Sequence, residues 1–127
     1  MSQNTDGVLG TPFKYGARDL SEGALDCYGV VKVMSERDGK LLPERSVSED
    51  HRLIHALMAG QMNAWKSIPG PVEGAVVQIR IKHLPCHIGY CLNEYEFIHA
   101  WEGSGGAVIE RLCDWEKRIV GFFDYVG

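Results

Sequence analysis

A chain of 127 residues, 45% hydrophobic and 24% charged, has the size and composition of one soluble domain that buries a core without disulfide or metal staples. Its formal net charge of −4, with no Lys/Arg cluster, excludes the basic surface that nucleic-acid binding requires. No stretch approaches a membrane span, and the opening residues Met1 to Asp6 have neither the basic nor the apolar region of a signal peptide. A protein made in the cytoplasm, with no nucleic-acid and no membrane partner, is therefore expected.

Residues 1–14 read as an irregular lead-in, because Gly7, Gly10 and Pro12 interrupt any helix. The whole of 1–127 is expected to form a single domain. A loop through Tyr15 and Gly23 leads into Leu25-Asp26-Cys27-Tyr28-Gly29. From there Cys27, Val30, Val31 and Met34 fall on one face of a helix, with Asp26 standing at its N-cap. The turn composition of Arg37-Asp38-Gly39-Lys40 ends this helix near Glu36. A second helix is predicted after the loop around Pro43. Ser46 and Glu49 fit a capping box, and Leu53, Ile54, Leu57, Met58, Met62 and Trp65 share one side up to Pro69-Gly70-Pro71.

Beyond Pro71 the pattern becomes extended. Val76 to Ile81 reads as a strand, and His87–Leu92 with Tyr95–Ala100 reads as a hairpin turning at Asn93-Glu94. Val108–Leu112, a short turn at Asp114–Lys117, and a last strand from Ile119 to Val126 complete the chain. Helices followed by a meander of strands is an α+β layout, here N-terminal helices packed on an antiparallel sheet of about five strands.

Cys27 sits in the first turn of its helix, where the positive end of the macrodipole favours thiolate over thiol. A thiolate nucleophile needs an imidazole within reach, and that imidazole needs a third polar group to orient it. With the turn centred near residue 93, His87 and His99 stand close to directly opposite, with Cβ atoms about 4.5–5.5 Å apart. His99 then bonds one nitrogen of His87 and leaves the other for Cys27. The plain alternatives are a structural cysteine and two histidines lining a sheet edge. His51 and His55 read as solvated helix residues. The run His83-x-x-Cys86-His87-x-x-x-Cys91 has a superficial zinc look, but adjacent residues 86 and 87 face opposite ways on a strand, and there is no Cys-x-x-Cys pair. No metal or cofactor is expected, and Cys27, Cys86, Cys91 and Cys113 are expected as free thiols.

Asp26-Cys27-Tyr28-Gly29-Val30-Val31, His87-Ile88-Gly89-Tyr90, Phe97-Ile98-His99-Ala100 and Arg118-Ile119-Val120-Gly121-Phe122-Phe123 together resemble the NlpC-type cysteine peptidases. These are papain-like enzymes that cut the peptide stems of bacterial cell wall. The resemblance runs from about Tyr15 to Tyr125 and implies a papain-like NlpC-type fold. It implies Cys27 as nucleophile, His87 as general base and His99 as the residue orienting His87. Tyr15 matches a family tyrosine beside the active site, where its hydroxyl and the Cys27 N–H would stabilise an oxyanion, with Asp26 grouped among the residues around the substrate. Tyr28 replaces the usual Ser or Trp, and Gly74-Ala75 stands where the family usually has Gly-Asp. An aromatic at 28 and the lack of export and wall-binding segments resemble the phage-tail and gene-transfer-agent branch. The implied substrate is a peptidoglycan stem peptide, cut between D-glutamate, through its γ-carboxyl, and a diamino acid. The implied partners are other tail proteins, and the implied location is a virion tail or tail-like particle. A structural tail-tip hub, or a related thiol amidase or acyltransferase, is the alternative reading.

Overall fold

The computed structural model describes residues 5–14, 16–42, 65–81 and 84–126. Among them one α-helix, α1 (Cys27–Arg37), precedes six strands: β1 (Trp65–Ile68), β2 (Val76–Ile81), β3 (Leu84–Cys91), β4 (Glu96–Trp101), β5 (Gly106–Arg111) and β6 (Ile119–Tyr125). The strands form one sheet in the order β1-β6-β2-β3-β4-β5, and every pairing is antiparallel. This is the expected α+β fold, with one strand more than the sequence suggested.

The extra strand is β1. Trp65, expected at the end of the second helix, instead starts an extended segment that pairs with Tyr125 of β6, their rings meeting edge to face at 5.0 Å. A Trp at helical spacing from Met62 serves equally well as a strand residue, and long-range pairing decides between them. The body of that predicted helix, with His51 and His55, lies outside the described residues.

Alternation along the strands makes two apolar faces. Val76, Ile88, Tyr90, Ile98 and Ala100 pack under Val30, Val31 and Met34 of α1. On the opposite face Val77, Ile79, Cys91 and Phe97 meet Leu112 and Trp115, the latter two from a 3-10 turn spanning Leu112–Arg118. The lead-in covers the β5 edge: Gly10 N–H donates to Ala107 O at 2.8 Å and Ala107 N–H donates to Thr11 O at 2.8 Å. The edge-facing N–H and C=O of Ala107 are thereby satisfied at the start of β5.

Candidate active site

The site begins with the cap of α1. Asp26 has extended backbone and its carboxylate accepts from Gly29 N–H at 2.7 Å, as the N-cap reading requires. The same carboxylate accepts from Gly16 N–H at 2.9 Å and from Arg18 Nε at 3.0 and 3.1 Å. Asp26 and Arg18 are both buried, so the pair ties the preceding loop onto the helix start. Arg18 also lies over the Tyr28 ring, 5.0 Å from its centre. Asp26 is thus built into the frame that holds Cys27, and its bonds to Gly16 and Arg18 go beyond the cap that sequence spacing suggested. Tyr15 lies outside the described residues.

Gly29 is required by this arrangement. A Cβ there would stand 2.4 Å from Ala17 O and 3.2 Å from Arg18 Cα, because the loop crosses directly over the first helical turn. Any larger residue would push the loop, and with it the Arg18–Asp26 pair, off the helix.

The second half of the site is a split in the sheet. Strands β3 and β4 pair only at Tyr90–Ile98 and Cys91–Phe97. The start of β3, including His87 and Ile88, therefore runs past β4 without ladder partners on that side. Cys91 N–H points to β2, where it donates to Ala75 O at 2.8 Å, so alternation turns the Ile88 N–H toward the split. There it meets Cys27: the backbone amides of Ile88 and Tyr28 lie in hydrogen-bonding range of the sulfur. The nucleophile candidate is thus lodged beside the residue that follows His87.

The histidines meet as well, by a route other than the one spacing suggested. The bend is held by Asn93 Oδ1, which accepts from Tyr95 N–H at 2.7 Å and Glu96 N–H at 2.9 Å. It centres the hairpin on residue 94 rather than 93. Extended from the Tyr90–Ile98 pair, that register sets His99 opposite Gly89 and His87 two residues away on the diagonal. Parity keeps both rings on one face, and His87 Nε2 lies 2.7 Å from His99 Nδ1. Gly89 makes the diagonal contact possible. A Cβ at 89 would stand 2.7 Å from Phe97 Cδ2 and 3.2 Å from His99 Cβ.

Both imidazoles are buried. His99 packs against Phe97 and Trp115, with ring centres 4.4 and 5.3 Å away, and Trp101 stands 6.4 Å from His87. Burial, followed by the neighbouring His99, holds His87 well below the ordinary histidine range. Burial lowers His99 to about 4, against an opposing pull from Glu110 on β5. At neutral pH the pair is therefore uncharged. The Cys27 thiol also departs from expectation. Although the residue as a whole is only partly covered, burial of its sulfur, and then the Asp26 carboxylate, push the thiol up to about 12. The amides of Ile88 on β3 and Tyr28 on α1, and then the Arg18 charge, pull the other way without prevailing. Burial thus favours the neutral thiol and the neutral imidazole over the thiolate that the helix dipole alone would favour.

Of the other cysteines, Cys91 is buried in the face away from α1 and Cys113 is exposed, both as free thiols. His83 and the side chain of Cys86 lie outside the described residues. Two further residues escaped the sequence reading. Glu110 Oε2 lies 3.7 Å from His99 Nε2, and Trp115 Nε1–H donates to the same oxygen. Register could have found Glu110, since it pairs with Phe97 and so shares the face of His99.

No family model matches the chain, and no curated protein matches it by sequence. A solved structure does: the peptidoglycan hydrolase RipB from Mycobacterium tuberculosis superposes with a TM-score of 0.61 at 16% identity, over 93% of this chain. The chain spans 58% of the length of that structure. At this identity the likeness speaks for the fold. The chain has the α+β architecture of the NlpC-type fold seen in RipB, with Cys27 at the start of its helix and the His87–His99 pair on its sheet.

Proposed function

We propose that this chain is a cysteine peptidase that hydrolyses an amide bond in peptidoglycan stem peptides. One observation carries the proposal. The Cys27 sulfur sits against the amide of Ile88, one residue past a His87 whose ring is bonded to His99 at 2.7 Å. A helix-borne thiol, an imidazole and a third polar group in sequence are the parts of covalent acyl transfer, and the fold likeness to a peptidoglycan hydrolase points to the substrate.

In this mechanism His87 Nδ1, the nitrogen not engaged by His99, takes the Cys27 proton as the sulfur attacks the scissile carbonyl. The tetrahedral oxyanion is held by the Cys27 N–H at the helix start and by Tyr15. Collapse breaks the C–N bond, His87 returns the proton to the leaving amine, and the acyl group remains as a thioester on Cys27. Water, deprotonated by His87, releases the carboxylate and restores the thiol. Burial disfavours the separate thiolate and imidazolium, which favours proton transfer in step with attack.

The bond between γ-linked D-glutamate and a diamino acid, and service in a phage tail or gene-transfer-agent particle with other tail proteins as partners, extend this proposal from the sequence resemblance. Digestion of purified peptidoglycan by the wild type and by Cys27→Ala, with fragments weighed by mass spectrometry, tests it. Fragments of the predicted mass from the wild type alone support it. Equal release by both proteins, or release by neither under reducing conditions, refutes it.

A further inference from the structure

We propose that Glu110 is a positioning residue that selects the working tautomer of the histidine pair, acting on His87 through His99. The inference rests on the peptidase reading above and follows from a count of protons. With both rings neutral, one proton lies between His87 Nε2 and His99 Nδ1 across their 2.7 Å contact. It belongs to one ring or to the other. If His87 Nε2 carries it, His87 Nδ1 is a lone pair and can accept the Cys27 proton, while His99 must hold its own proton on Nε2. If His99 Nδ1 carries it, the protons shift one place along the chain. His87 Nδ1 is then already protonated, and the site has no base.

What distinguishes the two states is the environment of His99 Nε2. This atom is buried, and among the described residues no hydrogen-bond partner reaches it. The polar group facing it is the Glu110 carboxylate, with Oε2 at 3.7 Å. At that distance the contact is electrostatic and not a hydrogen bond. A carboxylate opposite an N–H is attractive, whereas one opposite an imidazole lone pair is repulsive. Glu110 therefore favours the Nε2–H form of His99, which is the form that leaves His87 Nδ1 free.

The carboxylate is itself held in place. Trp115 Nε1–H donates to Oε2 of Glu110, and the Trp115 ring stands edge-on to His99 at 5.3 Å. Pairing of Glu110 with Phe97, and of Val108 with His99, fixes Glu110 on the same face and one diagonal step from the histidine. The side chain is one-third exposed, so it stays in contact with water while its oxygen faces the buried ring. The sequence of groups is Glu110, His99, His87, Cys27, each orienting the next.

The test compares the wild type with Glu110→Leu and Glu110→Gln, all as the full chain with 15N-labelled imidazoles at pH 7.5. In the wild type His99 shows a protonated Nε2 and a bare Nδ1. Glu110→Leu shifts His99 toward the Nδ1–H form and lowers kcat on peptidoglycan by about tenfold or more, with KM unchanged, because only orientation of the base is lost. Glu110→Gln, whose amide oxygen can accept the Trp115 N–H and keep its negative end toward His99 Nε2, retains the wild-type tautomer and recovers most of the rate. A His99 tautomer unaltered in Glu110→Leu overturns the proposal, and so does an altered tautomer with unchanged kcat. If the wild type cleaves no peptidoglycan, the peptidase reading falls by itself and the imidazole spectrum alone decides for or against Glu110.

Discussion

Acidification should destabilise this protein through its histidine pair. His99 is fully buried, and burial holds it at about 4 against an ordinary histidine value of 6.5. His87 is shifted in the same direction by burial and by His99. A base whose folded-state value is depressed binds its proton more weakly when folded than when unfolded. Its contribution to stability is thus complete above pH 6.5 and is lost as pH falls from 6.5 toward 4. A depression from 6.5 to about 4 for His99 corresponds to about 3 kcal/mol at ~1.4 kcal/mol per unit. That is a large part of the ~5–15 kcal/mol typical of a domain. His87 adds to this loss in the same direction, though one ring protonated beside the other makes the two effects non-additive. Urea unfolding at pH 7.5, 6.5, 5.5 and 4.5 measures the loss, and His87→Gln/His99→Gln supplies the control without either imidazole. The wild type should lose about 3 kcal/mol more than the control across this range. Parallel pH profiles for the two proteins would refute the reasoning, because the acid sensitivity would then come from other groups.

Three other perturbations probe the frame of the site. Asp26→Ala removes the cap of α1 and leaves Arg18 buried without its carboxylate, so a loss of about 3–5 kcal/mol is expected in urea unfolding; a loss under 1 kcal/mol would contradict the frame role. Gly89→Ala forces a methyl to 2.7 Å from Phe97 Cδ2. It should cost about 1–3 kcal/mol by thermal unfolding and break the histidine contact, seen as altered 15N shifts of both rings. Iodoacetamide should label exposed Cys113 readily at pH 7.5 while native Cys27 reacts slowly. With its thiol near 12, Cys27 labelling should rise about tenfold per pH unit through pH 9, as peptide mapping will report; a plateau below pH 8 would show that the resting site already holds a thiolate.

Much of this site can be read in the chain because its parts are local. Asp26 before an apolar helical stripe announces both a cap and the start of α1, and β2, β4, β5 and β6 fall close to where alternation and turn residues set them. What spacing could not supply was decided by long-range contacts. The hairpin register depended on how the Asn93 side chain folds the bend, and it moved His99 from opposite His87 to opposite Gly89. The pair survived only because a two-residue offset preserves the face. Trp65 was ambiguous between helix and strand until β6 was present to pair with it. The state of the Cys27 thiol turned on burial of its sulfur, which tertiary packing decides and the helix dipole does not announce. Glu110 and Trp115 come together through a strand pairing and a 3-10 turn, which no local motif marks.

The most direct test of the central claim is to catch the acyl group on the sulfur. Wild-type protein turning over soluble stem peptides is quenched in acid, digested, and searched by mass spectrometry for a hydroxylamine-labile adduct. The account predicts an adduct with the mass of the acyl half of the substrate on the peptide containing Cys27, absent from Cys27→Ala. An adduct on Cys91 or Cys113 instead, or turnover that persists in Cys27→Ala, would contradict it.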